Sequence, residues 1–363
     1  MFYYLTDLTQ VLSAFNIFRY ITFRAAMAAV TAFLLCVVLG PIFIRYFKTL
    51  RIRENAKRHD APGLDRFQVV KEGTPTMGGI FMIISIVLSV LFWADLSNLY
   101  INLTLIVCVC LGLLGWIDDY VKLAQKGPHR GLPARTKFFY ELTLGLCVGW
   151  YLYYFNPEMS AKLDVPFFKH VVLDLGIFYI FFVALVIIGT TNAVNLTDGL
   201  DGLAVGCVLI VSFTLAILSY LSGHVEFSKY LLIPYIPGGG ELAVFCAAII
   251  GASLGFLWFN CHPASIFMGD VGSLALGGSL GAIAIFIKKE LLLGLLGGVF
   301  VIEALSVILQ VASFKTRKKR LFKMSPFHHH LQLSGWHESK IIIRFWIIGI
   351  ILALLTLTTL KIR

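Results

Sequence analysis

Residues 177–222 read IFYIFFVALVIIGTTNAVNLTDGLDGLAVGCVLIVSFTLAILSYLS. Two apolar runs, near 177–194 and 200–222, flank one polar stretch. Each is about the length a helix needs to cross a bilayer, roughly 20 residues. No charged side chain occurs between 177 and 194 or between 203 and 222. The segment therefore reads as two spanning helices joined by a short loop that holds Asn192, Asn195, Asp198 and Asp201.

The same pattern extends in both directions. Further runs lie near 21–44, 77–94, 100–117, 137–155, 241–258, 271–287, 291–313 and 341–360, about ten in all. Of the 363 residues, 58% are hydrophobic and 14% charged. Soluble domains are nearer about 25% charged. The expected fold is an all-α integral membrane bundle, one polytopic unit over 1–363. Residues 2–18 place Leu5, Leu8, Leu12 and Phe15 at helical spacing and predict an interfacial helix. No removable signal peptide is expected. Residues 223–240 alternate and end in Pro-Gly-Gly-Gly, which predicts a short hairpin or lid. Seven cysteines without a CxxC pair predict neither disulfides nor a zinc site.

The net charge is +10, and its distribution sets the orientation. Loop 45–76 holds Arg45, Lys48, Arg51, Arg53, Lys57, Arg58, Arg66 and Lys71. Loops 118–136 and 314–340 are also basic, while the intervening loops carry few bases. Positive charge gathers on the cytoplasmic side, so these loops and the short loops 195–200 and 259–270 are expected there, with both termini periplasmic. This topological role accounts for the charge, and no nucleic-acid partner is expected.

The polar motifs follow the same parity. Asp118-Asp119, NAVNLTDGLDG at 192–202, Asn260 and His262 with FMGD ending at Asp270, and His328-His329-His330 all fall on the cytoplasmic side. Carboxylates suit Mg²⁺, a hard cation that often bridges substrate phosphates. Lysine and histidine donate to phosphate oxygens. That mixture predicts metal-assisted phosphate chemistry at the membrane surface.

Each motif also has a plainer reading. Asp118-Asp119 could end a span in water. Asp198 or Asp201 could cap the helix near 200–222, and Asp270 the helix near 271–287. The three histidines could be solvated, and Phe267 could be core packing. Gly277 and Gly281 form a GxxxG pattern better suited to helix packing than to chemistry. Glu303 lies inside an apolar run, where an acid is either functional or paired with a neighbouring helix.

Taken together and in order, the motifs carry a resemblance. TPTMGG at 74–79, DDYVK at 118–122, ARTKF at 134–138, NAVNLTDGLDGLA at 192–204, WFNCHPASIFMGDVGSLALGG at 258–278 and SPFHHHLQLSGW at 325–336 occur in this order, and the resemblance built on them extends over nearly the whole chain. They resemble the polyprenyl-phosphate N-acetylhexosamine-1-phosphate transferase superfamily, and the unbroken HHH is similar to its muramoyl branch. The resemblance implies transfer of phospho-N-acetylmuramoyl-pentapeptide from UDP-MurNAc-pentapeptide to undecaprenyl phosphate, giving lipid I and UMP. It implies Mg²⁺ as cofactor, a homodimer, and a bacterial inner-membrane location with the active site facing the cytoplasm. It implies that Asp270 is the magnesium ligand, that Asp118 assists the lipid phosphate beside Asp119, and that His328, with His329 and His330, lies near the pyrophosphate. Lys71, Thr76, Lys122, Lys126 and Lys137 become phosphate-side or donor contacts. Asn195, Asp198, Asp201, Asn260, Phe267 and Gln310 become nucleotide-pocket residues, with Phe267 suited to stacking on uracil. Direct attack and a path through an aspartyl-phosphate both remain open. So do a sister GlcNAc-1-phosphate transferase and, outside enzymes, a transporter with acidic pathway residues.

Overall fold

The computed structural model describes residues 1–9, 12–50, 73–125, 131–156, 161–165 and 172–361. Lys71 and Lys126 lie outside the described residues. The long helices are α1 (Ile21–Thr49), α2 (Gly79–Trp93), α3 (Leu99–Ala124), α4 (Ala134–Phe155), α5 (Phe178–Thr197) and α6 (Leu203–Ser222). A short α7 (Val225–Leu231) precedes α8 (Leu242–Asn260) and α9 (Gly269–Phe286). Then come α10 (Glu290–Leu296), α11 (Gly298–Arg317), α12 (Phe327–Leu333) and α13 (Glu338–Thr358). A hairpin of β1 (Lys162–Asp164) and β2 (Val172–Asp174) pairs Leu163 with Leu173 in antiparallel register.

Eight described helices are long and apolar enough to cross a membrane. The chain is a multi-pass membrane protein of the all-α class, with the β1–β2 hairpin the one sheet among the described residues. The remaining two predicted runs correspond to α2, which has 15 residues, and α4. At 1.5 Å per residue α2 spans about 22 Å, short of the ~30 Å hydrocarbon core.

Three local expectations change. Residues 223–240 contain α7 rather than a hairpin, because Val225–Leu231 closes a single helical stretch before Pro234 and Pro237 prevent its continuation. Phe2–Leu8 and Ser13–Arg19 are 3-10 helices, not an α-helix. The run near 291–313 divides at Gly297 into α10 and α11, where neighbouring glycines weaken helix continuity.

α9 is the axis of the bundle. Every residue from Val271 to Phe286 is buried, with α3 and α5 packed closely on it and α2 and α6 beside it. Small residues allow this closeness. A side chain at Gly277 would meet the Thr190 and Thr191 backbone, so the GxxxG pattern serves packing against α5. At the opposite end from Asp270, buried Arg24 of α1 makes a two-pronged pair with Glu241, at 2.6 Å and 2.5 Å, and donates to Trp93 O. This pins α1 and α2 to the start of α8.

Candidate active site

Asp118 and Asp119 lie near the C-terminal end of α3, and Asp270 lies in the first turn of α9. Asp270 is thus inside the helix rather than at its cap, which is Met268. Close packing of α3 on α9 brings the three carboxylates together: one oxygen from each lies within 4.8 Å of the others. Two ammonium groups stand among them. Lys122 Nζ is 2.7 Å from Asp118 Oδ2, 3.1 Å from Asp119 Oδ1 and 3.0 Å from Asp270 Oδ2. Lys137, from the first turn of α4, is 2.6 Å from Asp118 Oδ2 and 2.8 Å from Asp270 Oδ2.

Backbone donors fix the acids further. Leu132 N–H donates to Asp118 Oδ1 at 2.7 Å, and Val271 N–H to Asp119 Oδ2 at 3.3 Å. Gly269 takes φ +76°, and a Cβ there would lie 2.5 Å from Asp119 Oδ2. The glycine of FMGD is therefore required by both backbone conformation and space. Three carboxylates with two partly exposed lysines make a site suited to a hard cation and phosphates: the lysines can exchange carboxylate for phosphate oxygens.

A second group gathers around the 192–202 loop. Asn195 donates to Ser273 Oγ at 3.0 Å, tying the end of α5 to α9 one turn from Asp270. Asp198 ends α5, and Gly202 precedes α6, so neither predicted aspartate caps α6. Asp201 Oδ2 is 3.0 Å from His262 Nδ1 and accepts from Ala264 N–H, while Glu338 accepts from Asp201 N–H. Asn260 joins the two loops, accepting from Gly202 N–H and donating to Ile266 O. Phe267 is half-buried; its backbone bonds Pro75 O and Gly78 N–H, which sets half-buried Thr76 between them in sequence.

The histidines diverge. His328 is buried, with Nδ1 3.1 Å from Glu303 Oε2. His329 Nδ1 faces Gln332 Oε1 at 2.8 Å, and His330 Nδ1 accepts from Lys323 N–H. Gln310 braces the loop after α11, accepting from Leu321 and Phe322 N–H and donating to Phe322 O. Its amide is thus engaged locally and not by the carboxylates.

Glu141 escapes the sequence reading. It is buried on α4, one turn beyond Lys137, and accepts from Asn192 Nδ2 at 2.6 Å. The signal was present: an acid inside an apolar run is a functional candidate.

The fold and this cluster define a membrane-embedded transferase. A family profile described as glycosyl transferase family 4 matches residues 101–288, which include Asp118, Asp119, Lys122, Lys137 and Asp270. The phospho-N-acetylmuramoyl-pentapeptide-transferase of Thermodesulfovibrio yellowstonii is 52% identical over 99% of each chain. The enzymes of that name from Citrifermentans bemidjiense and Geobacter sp. strain M21 are 52% and 51% identical over the full length of both chains. The chain belongs to the phospho-N-acetylmuramoyl-pentapeptide transferase family.

Proposed function

We propose that the chain transfers phospho-N-acetylmuramoyl-pentapeptide from UDP-MurNAc-pentapeptide to undecaprenyl phosphate, forming lipid I and releasing UMP at the cytoplasmic face of a bacterial inner membrane. The observation that carries this reading is the convergence of Asp118, Asp119 and Asp270 with Lys122 and Lys137.

The donor set fits Mg²⁺, because three carboxylates offer oxygens close enough to share one hard cation. Asp270 would hold it, with Asp118 and Asp119 adjacent. When bound, it supplies charge neutralisation at the pyrophosphate. Lys122 and Lys137 bind phosphate oxygens and stabilise charge as it develops. Asp118, anchored by two lysines and Leu132 N–H, orients the acceptor phosphate. An oxygen of the lipid phosphate attacks the sugar-linked phosphorus. A new P–O bond forms there, and the bond to UMP breaks with its electron pair leaving on UMP. Phe267 offers a ring for the uracil, and Asp198 a hydrogen-bond acceptor for the nucleoside.

A lipid acceptor is further supported by an apolar groove of about 270 Å³ between α5, α10 and α11. Val186, Gly189, Ala193, Phe300, Val301 and Ala304 contribute to its wall, suited to part of a prenyl chain. The groove reaches Val194, directly before Asn195.

The test is UMP release and lipid product formation by purified protein with UDP-MurNAc-pentapeptide, undecaprenyl phosphate and Mg²⁺. Turnover of UDP-GlcNAc with no turnover of the muramoyl donor would replace this reading with the sister activity.

A further inference from the structure

Glu303 is fully buried in α11, on a helix whose neighbouring residues Ile302 and Leu305 are exposed. A carboxylate there is costly unless its oxygens are bonded. His328 bonds it twice: His328 N–H reaches Oε1 at 3.2 Å, and Nδ1 lies 3.1 Å from Oε2. An ionised carboxylate only accepts, so Nδ1 carries the hydrogen. The other nitrogen, Nε2, is then the one left to present a lone pair when the ring is neutral.

Nε2 is buried and has no hydrogen-bond partner. A buried polar atom without a partner requires an explanation. Its surroundings supply one. It stands over Gly199 so closely that a Cβ at that position would overlap it. Gly199 lies just past Asp198 at the end of α5, and Asn195 in the last turn of α5 is bonded to Ser273 on α9. The ring nitrogen thus faces the loop after α5, whose last turn is tied through Ser273 to the helix that carries Asp270. His329 and His330, by contrast, direct Nδ1 to Gln332 and Lys323.

We propose that Glu303 is a positioning residue for the transfer reaction. It fixes the tautomer and direction of His328 so that the Nε2 lone pair accepts the proton of a substrate phosphate beside Gly199, leaving an imidazolium paired with the Glu303 carboxylate, and Gly199 is glycine to leave that nitrogen room. This rests on the transferase reading above. Glu303 touches no substrate and acts through His328 alone.

The experiment compares UMP release and thermal melting for wild type, Glu303→Gln, His328→Ala, the double variant and Gly199→Ala. Glutamine keeps the shape but can donate to Nδ1, which places the hydrogen on Nε2. Glu303→Gln is expected to lower kcat by about 100-fold, within the range of a positioned acid–base group, with the donor KM little changed. In the His328→Ala background it should add less than about two-fold, since residues acting as a unit are not additive. A tie that only holds α12 to α11 would instead shift melting and leave kcat of the folded enzyme unchanged. Full kcat in Glu303→Gln, or a full additional loss in the double variant, would overturn the proposal. If Glu303→Gln does not fold, Gly199→Ala decides: it displaces Nε2 without touching Glu303, and wild-type kcat would overturn the proposal. Failure of the wild type itself to turn over the muramoyl donor would sink the transferase reading instead.

Discussion

Lys137 and Asp270 meet across a helix junction: Nζ of the first turn of α4 lies 2.8 Å from Oδ2 of the first turn of α9. The same nitrogen reaches Asp118 at 2.6 Å, so one ammonium links both acid-bearing helices. Lys137→Met should lower kcat for UMP release about 10²–10³-fold, the usual cost of removing one preorganised charge donor. Lys137→Arg should recover only part of this, because the longer, bulkier guanidinium holds its donors in one fixed plane where the compact ammonium can turn to both acids. Wild-type turnover in Lys137→Met would exclude a direct role in charge stabilisation.

The carboxylate cluster predicts a metal requirement. Chelation with EDTA should stop UMP release, and Mg²⁺ should restore it. Asp270→Asn should lose turnover at every Mg²⁺ concentration, while Asp119→Asn should shift the Mg²⁺ titration upward. Undiminished turnover in EDTA would remove the metal from the mechanism.

Gly269→Ala places a Cβ 2.5 Å from Asp119 Oδ2 and strains a backbone at φ +76°. The left-handed conformation alone costs a side-chain-bearing residue about 1–2 kcal/mol. Displacement of Asp119 should cost at least about ten-fold in kcat, read beside a melting curve. An alanine enzyme with normal kcat would show that Asp119 tolerates movement.

Arg24 and Glu241 predict a stability effect remote from chemistry. Arg24→Ala leaves the Glu241 carboxylate at the helix junction without its cation, a loss of about 3–5 kcal/mol for a buried pair. The melting temperature in detergent should fall, and the folded fraction should keep its UMP-release rate. An unchanged melting curve would mean that water compensates the lost pair.

Lys288 predicts a pH trend. It lies in the turn between α9 and α10, and burial pushes its amine down to about 8 despite Glu290 nearby. Between about pH 8 and the ordinary lysine value near 10.5, the unfolded chain keeps a proton that the folded chain sheds. Stability from this group therefore rises with pH across that window. Wild type should gain melting temperature relative to Lys288→Met from pH 7.5 to 10. A constant difference would show that the amine does not titrate there.

The sequence makes the long helices legible because their apolar character runs around the whole circumference. It makes Asp118, Asp119 and Asp270 legible because acids beside apolar runs are conspicuous. The hairpin of β1 and β2 is not readable, since three-residue strands carry almost no pattern. The break at Gly297 is hidden for a related reason: hydropathy is continuous across it while helix geometry is not. Glu141 stands out as an acid in an apolar run, but its pairing with Asn192, 51 residues away, is not visible in the sequence. Glu338 reaches Asp201 across 137 residues, a contact that only the packed bundle creates. Motif order identifies the family, whereas pairings such as Glu303 with His328 come from tertiary structure.

The burial of α9 has a mechanical consequence. Membranes differ in thickness, and a mismatched bilayer tilts or bends the helices it touches. Between Val271 and Phe286 α9 is buried, and Leu280 meets the apolar groove rather than the surrounding bilayer, whereas α1 and α13 present exposed apolar faces. Strain from a thinner or thicker membrane is therefore absorbed by the periphery. The helix that aims Asp270 is held as a rigid spindle, and the register of the acids is insulated from the lipid composition around them.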